Sequence, residues 1–194
     1  PSYEVMGSEN VGPTIADDIK NSAFWSIVFA LIIIFIYILM RFRKWQFGLG
    51  ALLAIFHDVL VVLSVFSLLY GIMPFSLEID QAFIAAILTV VGYSINDTVV
   101  VFDRIREYLN QYRKREMNEV VNSALNSTLS RTFNTSLSTI FVLLMIFVFG
   151  GEVIQGFAFA LLIGVIVGTY SSLCIATPIV IDFSKTVDKV KSRK

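Results

Sequence analysis

An all-α membrane protein, a polytopic bundle of five transmembrane helices, is what the sequence predicts, on three observations. Apolar residues make up 56% of the chain and charged ones only 15%, against about 25% charged in ordinary globular domains. The apolar residues gather into five long runs with almost no charge, each near the roughly 20 residues that cross a bilayer core of about 30 Å as a helix. A chain of 194 residues is too short to hide five such runs in a soluble interior. The mean hydropathy of +0.77 agrees.

Taken in order, the spans are expected at about 22–41, 47–71, 82–103, 131–150 and 156–183, together a transmembrane domain over 22–183. The first holds no charge from Ala23 to Met40 and stops at Arg41. The second is interrupted only by His57 and Asp58, the third by Asn96 and Asp97. The fourth begins polar, at Arg131 and Thr132, and the fifth is uncharged from Gly156 to Ile181. Between the third and fourth spans, residues 104–130 carry apolar residues at helical spacing (Ile105, Tyr108, Leu109, Tyr112, then Val120, Val121, Ala124, Leu125). They are expected as two amphipathic helices at the membrane interface, turning at the charged cluster Arg113 to Glu116. Residues 1–21 read as a linker leading from an upstream extracytoplasmic region, and residues 184–194 as a basic cytoplasmic tail. A chain that opens on Pro1 reads as part of a longer protein.

The net charge is zero, from 15 Lys and Arg against 15 Asp and Glu, but the charges are sorted. Arg41, Arg43 and Lys44 follow the first span; Arg104, Arg106, Arg113, Lys114 and Arg115 follow the third. Segments 71–81 and 150–155 hold no Lys or Arg, only Glu78, Asp80 and Glu152. By the positive-inside rule the chain's N-terminus lies outside and its C-terminus in the cytoplasm. The basic flank follows the first span instead of preceding it, so that span is not a signal peptide.

Ionisable groups at membrane depth are costly, on the order of 2.5–3.5 kcal/mol each on insertion scales, and mark candidate sites. Asp97 sits about 8–9 Å from the cytoplasmic end of the third span at 1.5 Å per residue, sharing a face with Tyr93 and Ser94 and flanked by Asn96 and Thr98. Burial favours the protonated form of a carboxylate unless a cation is near, so Asp97 either carries a proton across part of the field or is a structural acid, permanently paired or permanently protonated. Arg131 enters the fourth span from the same side, on a stripe with Ser127, Thr135 and Ser138 and with Asn134 beside it, a stripe expected to face the bundle or a wet cavity. It either forms a switchable pair with Asp97 or snorkels to lipid headgroups. His57 and Asp58 form a further polar station or simply bond between helices.

The fifth span repeats small residues every four positions: Gly156, Ala160, Gly164, Gly168, Ser172 and Ala176, a ridge for close packing with a GxxxG at Gly164 and Gly168. No phosphate loop, Ser/His/Asp constellation or paired-carboxylate arrangement stands out, and one His and one Cys (Cys174) exclude multi-His and multi-thiolate metal sites. No covalent catalysis, metal or cofactor is expected. Charge neutrality offers no footprint for nucleic acid.

Residues 92–107, GYSINDTVVVFDRIRE, closely resemble the hallmark segment of the SecF protein-export subunits. Val11-Gly12-Pro13, His57-Asp58-Val59, LSRTFNTSLST at 129–139 and VGTYSS at 167–172 fall in the same order as in that family. The resemblance covers nearly the whole chain, which is similar to spans two to six of SecF or of the SecF half of a fused SecDF. It implies a fold related to the RND transporters and a proton-driven role in late protein export across the bacterial cytoplasmic membrane. The implied partners are SecD, the SecYEG channel, the accessory proteins YajC and YidC, and the exported preproteins. Carried over by position, Asp97 matches the family's proton-linked acid and Arg131 its functional arginine. An RND-type proton-driven exporter of small molecules or lipids is the competing expectation.

Overall fold

The computed structural model describes the backbone of residues 13–191 and the side chains of 21–184 apart from residue 23. Among the described residues it is built of helices without strands: α1 (Pro13–Phe42), α2 (Trp45–Leu69), α3 (Gln81–Gln111), α4 (Met117–Phe149), α5 (Glu152–Ser171), a π turn (Ser172–Ala176) and α6 (Thr177–Lys191). The π turn and α6 continue α5, giving five rods long and apolar enough to cross a membrane. The chain is a multi-pass membrane protein.

Local chemistry sets the boundaries. Arg43 takes a left-handed conformation (φ 55°) just past α1, its N–H donating to Leu39 O, so the chain reverses within residues 43–44. Arg106 on α3 donates to the Arg41 carbonyl at 3.0 Å, one of those the end of a helix leaves open, and Arg41 pairs with Asp103 at 2.7 Å. The Asp80 carboxylate caps α3 by accepting from the Phe83 N–H at 2.7 Å. Gly151, at φ 78°, turns α4 into α5.

The segment 104–130 differs from the two separate interfacial helices expected. α3 runs unbroken to Gln111 and α4 starts at Met117, so only 112–116 leave the helix. The periodic apolar residues there are buried (Ile105, Val120, Val121, Ala124) and extend the same faces that pack at depth, which makes continuation favourable over a bend. Of the expected linker, residues 1–12 lie outside those described and 13–21 already belong to α1; of the expected tail, α6 reaches Lys191.

α5 is the hub, packed against α2, α3 and α4, while α1 rests on α2 and touches α3. Two apolar cores result. One joins Phe42, Phe47, Ala51, Val101, Phe102 and Val180; the other joins Val62, Phe66, Phe83, Val90, Leu143 and Ala160. On α2, α3 and α4, which reach both cores, buried polar residues lie in between: Asp58, then Ser94, Asp97 and Thr98, then Thr128, Thr132 and Ser136.

The small residues of α5 allow the close approach. A Cβ on Gly164 would collide with the Val90 side chain, and one on Gly168 would lie 3.1 Å from Ser94 Cβ. Gly164→Ala is expected to destabilise the bundle by about 1–3 kcal/mol through overpacking, read as a lower unfolding midpoint in detergent. Adding Val90→Ala should restore most of that loss; no recovery in the double variant would place the strain elsewhere.

Candidate functional site

Burying hydroxyls and carboxylates between two apolar cores is tolerable only if they satisfy one another. Asp58 on α2 is 1% exposed and does so most completely. Its Oδ2 accepts from Ser94 Oγ on α3 at 2.6 Å and from Ser171 Oγ on α5 at 2.8 Å. Its Oδ1 lies 3.2 Å from His57 Nδ1, and His57 Nε2 is in turn 3.1 Å from the Tyr170 hydroxyl at the surface. One side chain thus joins three helices.

Asp97 lies one turn further along α3, buried but bound less tightly. Its Oδ2 faces Ser172 Oγ at 3.3 Å, and that hydroxyl also reaches the Thr169 carbonyl at 2.9 Å. Thr132 on α4 is buried in the same layer, and among the described residues the buried hydroxyls of Thr132 and Thr98 make no hydrogen bond. A separate hydroxyl cluster completes the layer: Thr169 Oγ1 and Ser136 Oγ are 2.7 Å apart, and the Tyr93 hydroxyl lies 3.4 Å from Ser136.

The backbone beside this layer is irregular. Ser171 ends α5 and Ser172 begins the π turn, whose widened spacing frees carbonyls that a regular helix would use. Thr177 Oγ1 donates to Ser172 O at 3.0 Å, and Pro178, which has no N–H, follows directly. Gly50 on α2 makes room for the turn, since a Cβ there would sit 2.8 Å from Ala176 O.

Several residues predicted for the site are therefore brought together: Asp58 with His57, and Asp97 with Ser172. Gly168 stands against Ser94, and Gly164 lies two turns of α5 before Ser172, against Val90. Two placements differ from expectation. The stripe of Ser127, Arg131, Thr135 and Ser138 is exposed on α4, with Asn134; the face turned inward carries Ala124, Thr128, Thr132 and Ser136. Both stripes are small and polar at the same spacing, and the inward one continues the apolar Val121 and precedes Leu143, so packing selects it. Accordingly Arg131 makes no ion pair with Asp97 among the described residues. Asn96 is exposed and donates nothing to Asp97. Ser171, Thr169, Thr132 and Ser136 were not singled out as partners from the sequence; the only signal was their spacing at depth.

With this geometry in view, comparison with known proteins is informative. The family described as "Protein export membrane protein SecD/SecF, C-terminal" matches residues 1–186. A protein translocase subunit SecF of Rhodothermus marinus is 58% identical over 179 residues, covering 92% of this chain and 58% of that protein. The SecF of Rhodobacter capsulatus is 42% identical over 194 residues, covering 100% of this chain and 56% of that protein. A crystal structure of SecDF in a super-membrane-facing form superposes with a TM-score of 0.83 at 38% identity, covering 94% of this chain and 23% of that one. SecDF from Thermus thermophilus, described as a translocon-associated membrane protein, gives 0.80 at 41% identity, covering 90% and 23%. The chain spans about half the length of the curated relatives it matches.

The two kinds of buried hydroxyl should respond oppositely to removal. Ser94→Ala, which strips a donor from Asp58, is expected to cost about 1–3 kcal/mol. Thr132→Val, which replaces an unpartnered hydroxyl by a methyl of the same shape, is expected to be neutral or stabilising. Unfolding midpoints in detergent check both, and a Thr132→Val loss as large as that of Ser94→Ala would contradict the assignment.

Proposed function

The chain belongs to the SecD/SecF protein-export membrane family, and on that footing we propose that it is the SecF-type membrane half of a proton-driven accessory to the Sec translocon. In this reading it couples the proton gradient to late export of preproteins, alongside SecD and the SecYEG channel, with YajC and YidC as further neighbours. Its role is conformational and involves no covalent step on the cargo.

The observation that carries the reading is the contrast between two buried carboxylates in one polar layer. Asp97 holds a single hydroxyl at 3.3 Å, and that hydroxyl has a second acceptor ready at 2.9 Å. When Asp97 is charged, the Ser172 hydroxyl can donate to it. When it takes a proton, the new O–H can donate to Ser172 Oγ while Ser172 donates to the Thr169 carbonyl, so neither proton lacks an acceptor and exchange costs little. Each state favours a different contact between α3 and the π turn, which is what a proton needs in order to bias a conformational equilibrium. One charge crossing a field of 100 mV supplies about 2.3 kcal/mol, a shift of about fifty-fold. Asp58 and His57 form the neighbouring polar station, and Asn96 lies on the exposed face of α3.

Charge sorting supports an orientation in the bacterial cytoplasmic membrane with the 43–44 and 112–116 turns in the cytoplasm and the acidic turns at 71–81 and 150–155 outside. Residues 1–21 then lead in from the extracytoplasmic side. The faces of α3 and α4 that present Gly92, Asn96, Arg131 and Asn134 at membrane depth are exposed in this chain. Polar groups there are poorly suited to lipid, and they support packing against a second membrane half, the place proposed for SecD.

Asp97→Asn in the full-length protein is expected to remove the gradient-dependent increment of preprotein translocation into inverted vesicles by on the order of tenfold or more, with normal insertion. Undiminished gradient dependence would refute proton exchange at Asp97. For orientation, in a Cys174→Ser background, Arg115→Cys should react with an impermeant maleimide only from the cytoplasmic side and Ile79→Cys only from outside. The reverse pattern would invert the topology.

A further inference from the structure

Asp58 and Asp97 lie in the same layer, yet their surroundings ask different things of them. Both oxygens of Asp58 are engaged, at 2.6, 2.8 and 3.2 Å, from three helices. A proton on Oδ1 would reverse the bond to His57 Nδ1 and so require the ring proton to move to Nε2, while the two serine bonds to Oδ2 stay as they are. Asp97, with its single long contact and two idle hydroxyls nearby, is under-bound.

The two sites are also linked along the chain. Asp97 follows Ser94 by three residues on α3, and Ser172 follows Ser171 directly. Asp58 Oδ2 therefore ties α3 to α5 at one point, and the Asp97–Ser172 contact is the next point along the same seam. The helices are close there, with an added Cβ on Gly168 only 3.1 Å from Ser94 Cβ. Neighbouring residues on a helix point about 100° apart, so Ser171 reaching α2 fixes the direction in which Ser172 can reach α3. The Ser171–Ser172 step is also where α5 passes into the π turn. α2 grips that turn from both ends, through Asp58 on Ser171 and through Gly50 against Ala176 O.

On the reading that Asp97 exchanges the proton, we infer that Asp58 is a positioning residue: through Ser94 and Ser171 it sets the register of the π turn that brings Ser172 to Asp97, and it does not carry the coupled proton. The titratable and charged groups around the pair are His57 on α2, which contacts Asp58, Tyr170 on α5, which contacts His57, and Arg131, on the exposed face of α4 next to Thr132. An asparagine at position 58 would preserve the arrangement. Its amide oxygen accepts from both serines, and its amide nitrogen donates to His57 Nδ1 once the ring proton moves to Nε2 and faces the Tyr170 oxygen.

The test uses the full-length protein in membranes and reads two quantities. One is gradient-driven translocation. The other is the pH midpoint for labelling of Asp97 by an apolar carbodiimide, which reacts with the protonated carboxyl, located by peptide mass spectrometry. Asp58→Asn is expected to keep at least about half of the translocation increment and an unchanged midpoint. Ser172→Ala removes a donor from the charged form of Asp97 and should raise the midpoint by about one pH unit. Ser171→Ala, which never touches Asp97, should raise it in the same direction by a comparable amount. Asp58→Asn as inactive as Asp97→Asn at equal membrane abundance would overturn the inference. So would a Ser171→Ala midpoint equal to wild type while Ser172→Ala shifts. An active Asp97→Asn would instead refute proton exchange at Asp97, and the labelling midpoints would still decide what Asp58 positions.

Discussion

One carboxylate oxygen, Asp58 Oδ2, accepting serine hydroxyls from two other helices, is the contact on which the arrangement of the membrane interior depends. Apolar packing alone leaves membrane helices free to slide, because lipid tails are as apolar as the side chains they replace. A buried acid is different. Its bonds are short and directional, and losing one strands a donor or acceptor where no water can replace it. Asp58 thereby converts three rods into a fixed frame, with the apolar cores around Phe102 and Phe83 filling the space on either side.

That frame makes sense of the small residues. Serine hydroxyls are short, so reaching Asp58 from both α3 and α5 requires the two backbones to come close. Gly168 against Ser94 and Gly164 against Val90 provide the room. Ser171 and Ser172 face acids on different neighbours, Asp58 on α2 and Asp97 on α3, at the point where α5 passes into the π turn, and Thr177 occupies the Ser172 carbonyl. Gly50 is then needed on α2 because a π-turn carbonyl, Ala176 O, stands where a Cβ would go. Rigidity at Asp58 and slack at Asp97 are two consequences of one packing solution.

Much of this was legible in the sequence, and the parts that were not share a cause. Five uncharged runs, the sorted Lys and Arg, the carboxylates at depth and the four-residue ridge of α5 are properties of single segments, so they can be read along the chain. The phase of α4 is relational. Two polar stripes one residue apart, 127/131/135 and 128/132/136, fit the spacing equally, and only contact with α5 and the inward Val121 selects the second. With the second stripe inward, Thr132 is buried in the polar layer and Arg131 faces out. Asn96 faces out as well, since adjacency to Asp97 in sequence places it about 100° away around the helix. The π turn leaves no mark in composition at all; Pro178 hints at irregular hydrogen bonding but not at its kind.

The exposed stripe has a physical consequence of its own. Within the described residues the carboxylates at depth find donors inside the chain, whereas the Arg131 guanidinium makes neither a hydrogen bond nor an ion pair there, and only the Arg131 carbonyl is engaged, by Thr135 Oγ1. A guanidinium carries five donors and cannot shed its proton, so at membrane depth it needs acceptors from water, headgroups or another protein. Asn134 one turn later and the Asn96 face of α3 present further unspent polarity on the same exterior. The polar layer therefore does not close on itself but continues out through α3 and α4. Acceptors brought to this surface would stand beside Arg131, one residue from the inward-facing Thr132 on the same helix, so the exposed and buried polar faces of α4 meet at that point of the chain.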